Sequence, residues 1–326
     1  MMSLNKLSAL GFGMMLLTAG TAQADTTVPS PAALDKPVQF TLAVGAERME
    51  GDTTYQIGDP TVYANGVTEN QYFPFSELEW PLDIWLARID GSMVIKKMIR
   101  VNATVKKNLS DPNDNMKDSD WLTPSNPSQL DIYSESEISE FDAFIFDADV
   151  DWIFFNSDVV SLYAGLGFLY QDFEYEAKVL YQTYPSILPG VEFLGDGRVA
   201  ITYDITYTIP YIKVGTDLKF SPKFSMAGSF SYSPFVEAED TDNHLLRENG
   251  GKIADGDMDG DAYMFDISGK YNITPVVYVK AGFQYVKIEV DGTQTQVYGN
   301  GLPLGTVAQE SESSQASGFV LVGFDF

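Results

Sequence analysis

Alternation is the feature that most constrains what this chain can fold into. From Phe144 onward, segment after segment puts an apolar side chain at every second position and a small, polar or charged one between. In Phe144–Trp152 the apolar set is Phe144, Phe146, Ala148, Val150 and Trp152, and the other set includes Asp147, Asp149 and Asp151. Ile212–Phe220 repeats the pattern, with Lys213, Asp217 and Lys219 in the second set. Leu162–Tyr170, Tyr263–Tyr271 and Val277–Tyr285 follow it too. Strand side chains alternate between two faces, so each segment reads as a strand with one apolar and one polar face. No segment after the first 24 residues offers eighteen uninterrupted apolar residues, so no membrane-spanning helix is expected. With 21 Phe, 18 Tyr and 4 Trp in 326 residues, the chain is also no disordered acidic polymer.

Turn signals separate these runs. Short ones are Asp90-Gly91, Asn156-Ser157-Asp158, Ser221-Pro222-Lys223 and Asn272-Ile273-Thr274-Pro275. Long polar stretches lie near 49–76, 108–139, 177–199, 239–259 and 293–314. Four short and five long connections alternate and join ten strands, an even number with short turns at one end and long loops at the other. The expected fold is all-β: a ten-stranded antiparallel transmembrane β-barrel with long extracellular loops, over residues 37–326. Residues 1–24 read as a secretory signal peptide, with Lys6, an apolar run from Leu7 to Ala19 and the small-residue site Ala22-Gln23-Ala24. Residues 25–36 read as a short periplasmic leader. The terminal row Val320, Val322, Phe324 and Phe326 shares one face and resembles the closing strand of bacterial outer-membrane barrels. A soluble β-sandwich would explain that last strand alone, but not the signal peptide and the aromatic content with it. The expected location is the outer membrane of a Gram-negative bacterium.

Composition narrows the chemistry. Lys and Arg total 20 against 46 Asp and Glu, a formal charge of −26, and removal of Lys6 with the leader takes it to −27. Such a surface repels phosphate backbones, so no nucleic-acid partner is expected, and basic peptides fit better. The absence of cysteine excludes thiolate metal sites and a cysteine nucleophile. The single histidine, His244, excludes any site that needs two imidazoles in one chain.

Two acidic motifs stand out. Asp118-Ser119-Asp120-Trp121 falls in the second long polar stretch, and Asp240-Thr241-Asp242-Asn243-His244 enters the fourth. In an extended chain, residues two apart face the same way, which pairs Asp118 with Asp120 and Asp242 with His244. On long loops both pairs would sit at the extracellular rim. A carboxylate beside an imidazole raises its pKa, orients it and stabilises the imidazolium. Two further carboxylates opposite can hold a water and accept a proton, which makes general-base hydrolysis the chemistry on offer. Acidic loops with one exposed histidine are the alternative at this net charge. A third motif, Asp255-Gly256-Asp257-Met258-Asp259-Gly260 with Asp266 at the twelfth position, fits half of a calcium loop. A solvated acidic loop is the competing expectation there, because the twelfth ligand is usually Glu and no flanking helices are expected.

The layout resembles the omptin family, ten-stranded outer-membrane aspartyl proteases of Gram-negative bacteria. Lys117-Asp118-Ser119-Asp120-Trp121, followed by Ser125-Asn126-Pro127, resembles the family's D-x-D-W…S-N-P segment, and Phe235 to His244 resembles the segment that carries its D-x-H. Ile209-Pro210-Tyr211-Ile212, Tyr170-Gln171, Asn272-Ile273-Thr274-Pro275 and Glu77-Leu78-Glu79-Trp80 fall where the family has similar residues. The resemblance implies that Asp118, Asp120, Asp242 and His244 are catalytic. A water between His244 and Asp118 would attack the scissile carbonyl, with Asp242 orienting His244. It also implies that Glu47 and Asp240 form a pocket for a basic side chain, a role that suits carboxylates. No cofactor is implied beyond lipopolysaccharide, which omptins hold partly with outward arginines. The matching positions here are Glu174 and Thr206, neither basic, so the lipid site and lipopolysaccharide dependence are in doubt. The expected function is an outer-membrane endopeptidase, a monomer among outer-membrane lipid, cutting extracellular peptides at basic residues. The alternatives are a non-proteolytic barrel with a binding or structural role, and a porin. Ten strands leave a narrow lumen, which counts against the porin.

Overall fold

The computed structural model describes residues 38–69 and 72–326, so the signal peptide and leader expected over 1–36 lie outside the described residues. The strands in chain order are β1 Val38–Tyr63, β2 Thr68–Glu69, β3 Ser76–Pro81, β4 Ile84–Ile95, β5 Ile99–Asn108, β6 Met116–Asp120 and β7 Ile132–Asn156. There follow β8 Val160–Tyr184, β9 Leu188–Leu194, β10 Val199–Lys219, β11 Phe224–His244, β12 Lys252–Asn272, β13 Val277–Tyr298 and β14 Pro303–Asp325. All pair antiparallel in one sheet of fourteen strands. β1 pairs with β4 on one side and β14 on the other, which closes the barrel. Ten strands make the wall: β1, β4, β5, β7, β8 and β10 to β14. The short β2, β3, β6 and β9 build onto its upper end. There β3 pairs with β1 and β6, and β6 pairs with β7.

The wall strands are far longer than a membrane requires. β1 has 26 residues and β7 and β8 have 25 each, against the ~9–11 that span a bilayer. The pattern along each strand changes accordingly. In the lower half the outward row is apolar and exposed, as in Leu42 and Val44, Val150 and Trp152, Leu166 and Phe168, and Val320 and Val322. Such a band is what a lipid-facing wall presents. In the upper half the pattern inverts: Phe173, Tyr175, Tyr203, Ile205 and Tyr207 point inward and are buried, while Glu174 and Asp204 point out. A hydrophobic core therefore fills the barrel above the membrane.

That inversion corrects the expected loops. The stretches 49–76, 177–199, 239–259 and 293–314 read as loops because their outward residues are polar, yet much of each is strand. The fourth connection shrinks to a hairpin from Leu245 to Gly251. One short turn is also corrected. Asp90-Gly91 lies within β4, where Asp90 faces inward and accepts from Arg88 Nε at 2.7 Å and Thr104 Oγ1 at 3.0 Å. The chain reverses instead at Lys96-Lys97, with φ of 50° and 57°, and Met98 N donates to Ile95 O at 3.0 Å. Two consecutive positive φ values make a type I′ turn, whose twist matches the strands it joins.

Inside the membrane section, charges pack the lumen in pairs. Glu47 bonds Arg88 at 2.8 Å and Lys106 at 2.7 Å. Asp151 bonds Arg100 at 2.9 Å and Lys213 at 3.0 Å, and Asp90 bonds Lys280 at 3.1 Å. Tyr211 donates to Asp147 at 2.6 Å, and its ring lies where a Cβ on Gly167 would come within 2.2 Å of it. The inward Asp147, Asp149 and Asp151 are thus held by the barrel's own donors and form a packed plug.

Candidate active site

The two acidic motifs lie on strands, not on loops as the sequence suggested. Asp242 and His244 end β11 on its inward face, and Asp118 and Asp120 lie on β6, whose neighbours β3 and β7 anchor it to the rim. His244 Nε2 sits 2.9 Å from Asp242 Oδ2. The Tyr55 hydroxyl, reaching across the barrel from β1, donates to the same oxygen. Tyr55 stacks on Tyr203 with ring centroids 5.3 Å apart, and Tyr203 stacks on Trp80 at 4.9 Å. This aromatic floor fixes the height and orientation of Asp242.

Electrostatics tie the two halves together. Burial drives the Asp118 carboxyl well above the usual carboxylate range and Asp120 adds to the rise, while Arg247 and Lys252 oppose it. The charge of Asp242 is also felt at Asp118, so the two pairs lie close enough to interact. Burial works against the charge on Asp242. The His244 imidazole, the Lys252 ammonium and the Tyr55 hydroxyl outweigh it and hold this group well below the usual range. His244 is pushed down, first by burial and then by Lys252 and Arg247, against the pull of Asp242. Neutral His244 beside ionised Asp242 carries its proton on Nε2, which leaves Nδ1 as an acceptor.

Deeper in the same space, Asp240 Oδ2 accepts from Tyr203 OH at 3.0 Å and from Gln309 Nε2 at 2.6 Å. Burial raises this carboxyl to about 7. Asp118 Oδ1, Asp240 Oδ1, Asp242 Oδ1 and Gln309 Oε1 are all buried and have no hydrogen-bond partner. Buried polar atoms are normally satisfied; each of these four can accept, and the raised Asp118 and Asp240 carboxyls also offer an O–H when protonated. The space therefore suits a ligand that brings donors.

The model of the omptin family matches residues 57–326. The chain belongs to the omptin family. It is 24% identical over 230 residues to Protease 7 of Escherichia coli O157:H7, a match that covers 68% of each chain. Against Protease 7 of Escherichia coli strain K12 it is 24% identical over 235 residues, covering 69% of this chain and 73% of the relative. The crystal structure of the outer membrane protease OmpT from Escherichia coli superposes with a TM-score of 0.67 at 18% identity, over 89% of this chain and 97% of that one. Membership places this omptin-family barrel in the Gram-negative outer membrane, among relatives named as proteases.

Glu47 does not join Asp240. It is buried between Arg88 and Lys106, opposite Leu86 and Phe319. Gln309, which bonds Asp240, pairs with Ile57, ten residues further up β1, or about 33 Å along the strand. A matching Ala-Glu-Arg string could not reveal that height. The residues beside Asp240 are Tyr203 and Gln309. Gln309 lies in the inward row Val307, Gln309, Ser311, Ser313, and that polar alternation was the available signal.

The calcium candidate is corrected as well. Asp255, Asp257 and Asp259 are alternate residues of β12 on its outward face, and Asp266 faces the other way. Alternate strand residues stand about 7 Å apart, too far to converge on an ion at ~2.3–2.6 Å. Among the described residues, no group of three or more acidic, His or Cys side chains is placed to hold a metal ion. The two positions matched to the lipid site lie outward on β8 and β10. Glu174 is flanked across the strands by Asp142 and Asp204, and Thr206 lies beside Asp172.

Proposed function

We propose that this omptin-family barrel is an endopeptidase that cleaves extracellular peptides beside a basic side chain, with water as the nucleophile. One observation carries the reading. An imidazole paired with a buried, ionised carboxylate shares one end of the barrel with the unpartnered oxygens Asp118 Oδ1, Asp240 Oδ1, Asp242 Oδ1 and Gln309 Oε1. The attacking water is held between His244 Nδ1 and Asp118. Its oxygen adds to the scissile carbonyl carbon, its proton moves to Nδ1, and the carbonyl π pair becomes an oxyanion. The intermediate collapses, the C–N bond breaks, and the imidazolium proton goes to the leaving amine. Asp242 stabilises that imidazolium, and Asp120 supports Asp118. Asp240, with Gln309 beside it, receives the Lys or Arg side chain of the substrate.

The test is cleavage of a fluorogenic peptide containing Arg-Arg or Lys-Lys by refolded protein, wild type beside His244→Ala, with and without lipopolysaccharide. Wild type is expected to cleave, His244→Ala to lose cleavage, and added lipid to leave the rate unchanged, because the outward row at Glu174 repels lipid phosphate. A folded wild-type barrel that cleaves nothing in either condition would leave a binding or structural role instead.

The pH profile follows from His244. The base must be unprotonated, and burial lowers its pKa below the ordinary value of about 6.5. Cleavage should persist at neutral pH and fall as pH drops through that lowered value. A profile that stays flat down to the pH at which the barrel unfolds would count against His244 as the base.

A further inference from the structure

We propose that Lys252 is a catalytic residue, its ammonium group donating to the oxyanion that forms when water adds to the scissile carbonyl. The inference rests on the proposed hydrolysis and concerns a residue outside the four acidic and imidazole groups. Lys252 opens β12 on the inward face and is the cross-strand partner of His244. Directly opposed residues hold their Cβ atoms about 5 Å apart, so the lysine stem runs beside the imidazole. The side chain is buried, with 8% of its surface exposed, and it takes part in no hydrogen bond or ion pair among the described residues. The buried stem thus delivers an ammonium that no protein group holds and that is free to meet a bound substrate.

The groups that face it define where its charge acts. Asp242 and His244 lie on β11, Arg247 in the hairpin, and Asp118 and Asp120 on β6. Burial lowers the Lys252 pKa and Arg247 adds to that, while Asp242, Asp118 and Asp120 pull it back. Lys252 is therefore felt by both halves of the site and bonded to neither. The reacting carbonyl must lie between those halves if His244 and Asp118 hold the water. The ionised Asp242 carboxylate would repel a developing oxyanion, and the unpartnered donor Trp80 Nε1 is held in the aromatic stack below. Lys252 is the donor positioned to receive it. It stays protonated throughout, so the proton balance above is unchanged.

The experiment compares wild type, His244→Ala, Lys252→Met and Lys252→Arg in peptide cleavage, with barrel folding checked by circular dichroism. A second arm measures inhibition by a substrate-like peptide whose scissile carbonyl is replaced by an anionic phosphonate. Lys252→Met is expected to lower kcat by about 10²–10³-fold with little change in KM, and to weaken phosphonate binding by a similar factor. Lys252→Arg should recover part of the rate and shift the alkaline limb of the profile upward, because guanidinium keeps its charge. A folded Lys252→Met that cleaves at the wild-type rate overturns the proposal. So does one whose substrate and phosphonate affinities fall together, since that marks a structural role. If wild type cleaves, His244→Ala does not and Lys252→Met does, only the role of Lys252 fails. If wild type does not cleave, the hydrolysis itself fails and this role with it.

Discussion

Replacing Asp242 by Asn is expected to lower kcat by about three to four orders of magnitude while the barrel folds and KM changes little. Asp242 Oδ2 accepts from both His244 Nε2 and Tyr55 OH, and the residue is fully buried. A carboxylate offers acceptors on both sides. A carboxamide of the same shape offers one acceptor and one NH₂ group. If NH₂ faces the imidazole, the ring must turn a lone pair toward the carboxamide and carry its proton on Nδ1. That is the wrong tautomer for a base at Nδ1. If the oxygen faces it, the tautomer survives, but the negative charge that stabilises the imidazolium is gone. Either way the transition state loses more than the ground state, so the loss falls on kcat. Steady-state kinetics on a Lys-Lys peptide would check this. A variant with kcat within about tenfold of wild type would show that Asp242 does not orient the base.

Tyr55 sharpens that expectation. It holds Asp242 from the opposite wall, and its own position is set by stacking on Tyr203. The hydroxyl of Tyr203 in turn bonds Asp240. One aromatic stack therefore sets the height of the Asp242–His244 pair and of Asp240. The alternation of inward and outward residues around these positions is what lets β1, β10 and β11 deliver them to the same space.

The membrane section was legible in the sequence because one rule applies there: apolar out, polar in. Phe144–Trp152, Leu162–Tyr170 and Ile212–Phe220 are wall strands as expected. Above the lipid the rule reverses, and outward charges such as Glu174 and Asp204 made strands look like loops. The pairing of Asp242 with His244 was readable because it depends only on two-residue spacing along a strand. The approach of Asp118 to Asp242 was legible only as reach across a shared rim, since it depends on the register of β6 against β3 and β7. Lys252 was invisible as a site residue: only the tight hairpin after His244 brings it opposite the imidazole. Glu47 failed for a related reason. Neighbouring letters gave no height within a wall whose strands run to 26 residues.

Glu47 accordingly carries the second large expectation, one of stability. Its carboxylate has no exposed surface and bonds Arg88 and Lys106 deep in the lumen. In Glu47→Ala, Arg88 would keep Asp90 at 2.7 Å, but Lys106 would keep only the Gln284 carbonyl oxygen at 2.7 Å. One buried ammonium would then lack a counter-charge. Removing one partner of a buried ion pair typically costs ~3–5 kcal/mol, far more than the pair contributes over an apolar replacement. Glu47→Gln should cost less, because the amide oxygen still accepts from one of the two cations. Urea unfolding of the refolded barrel would read both values, and the preference for Lys or Arg in the peptide should be unchanged in each. Loss of that preference without loss of stability would return Glu47 to the substrate pocket. The opposite result would remove Glu47 from the substrate pocket and assign the lumen charges to the wall.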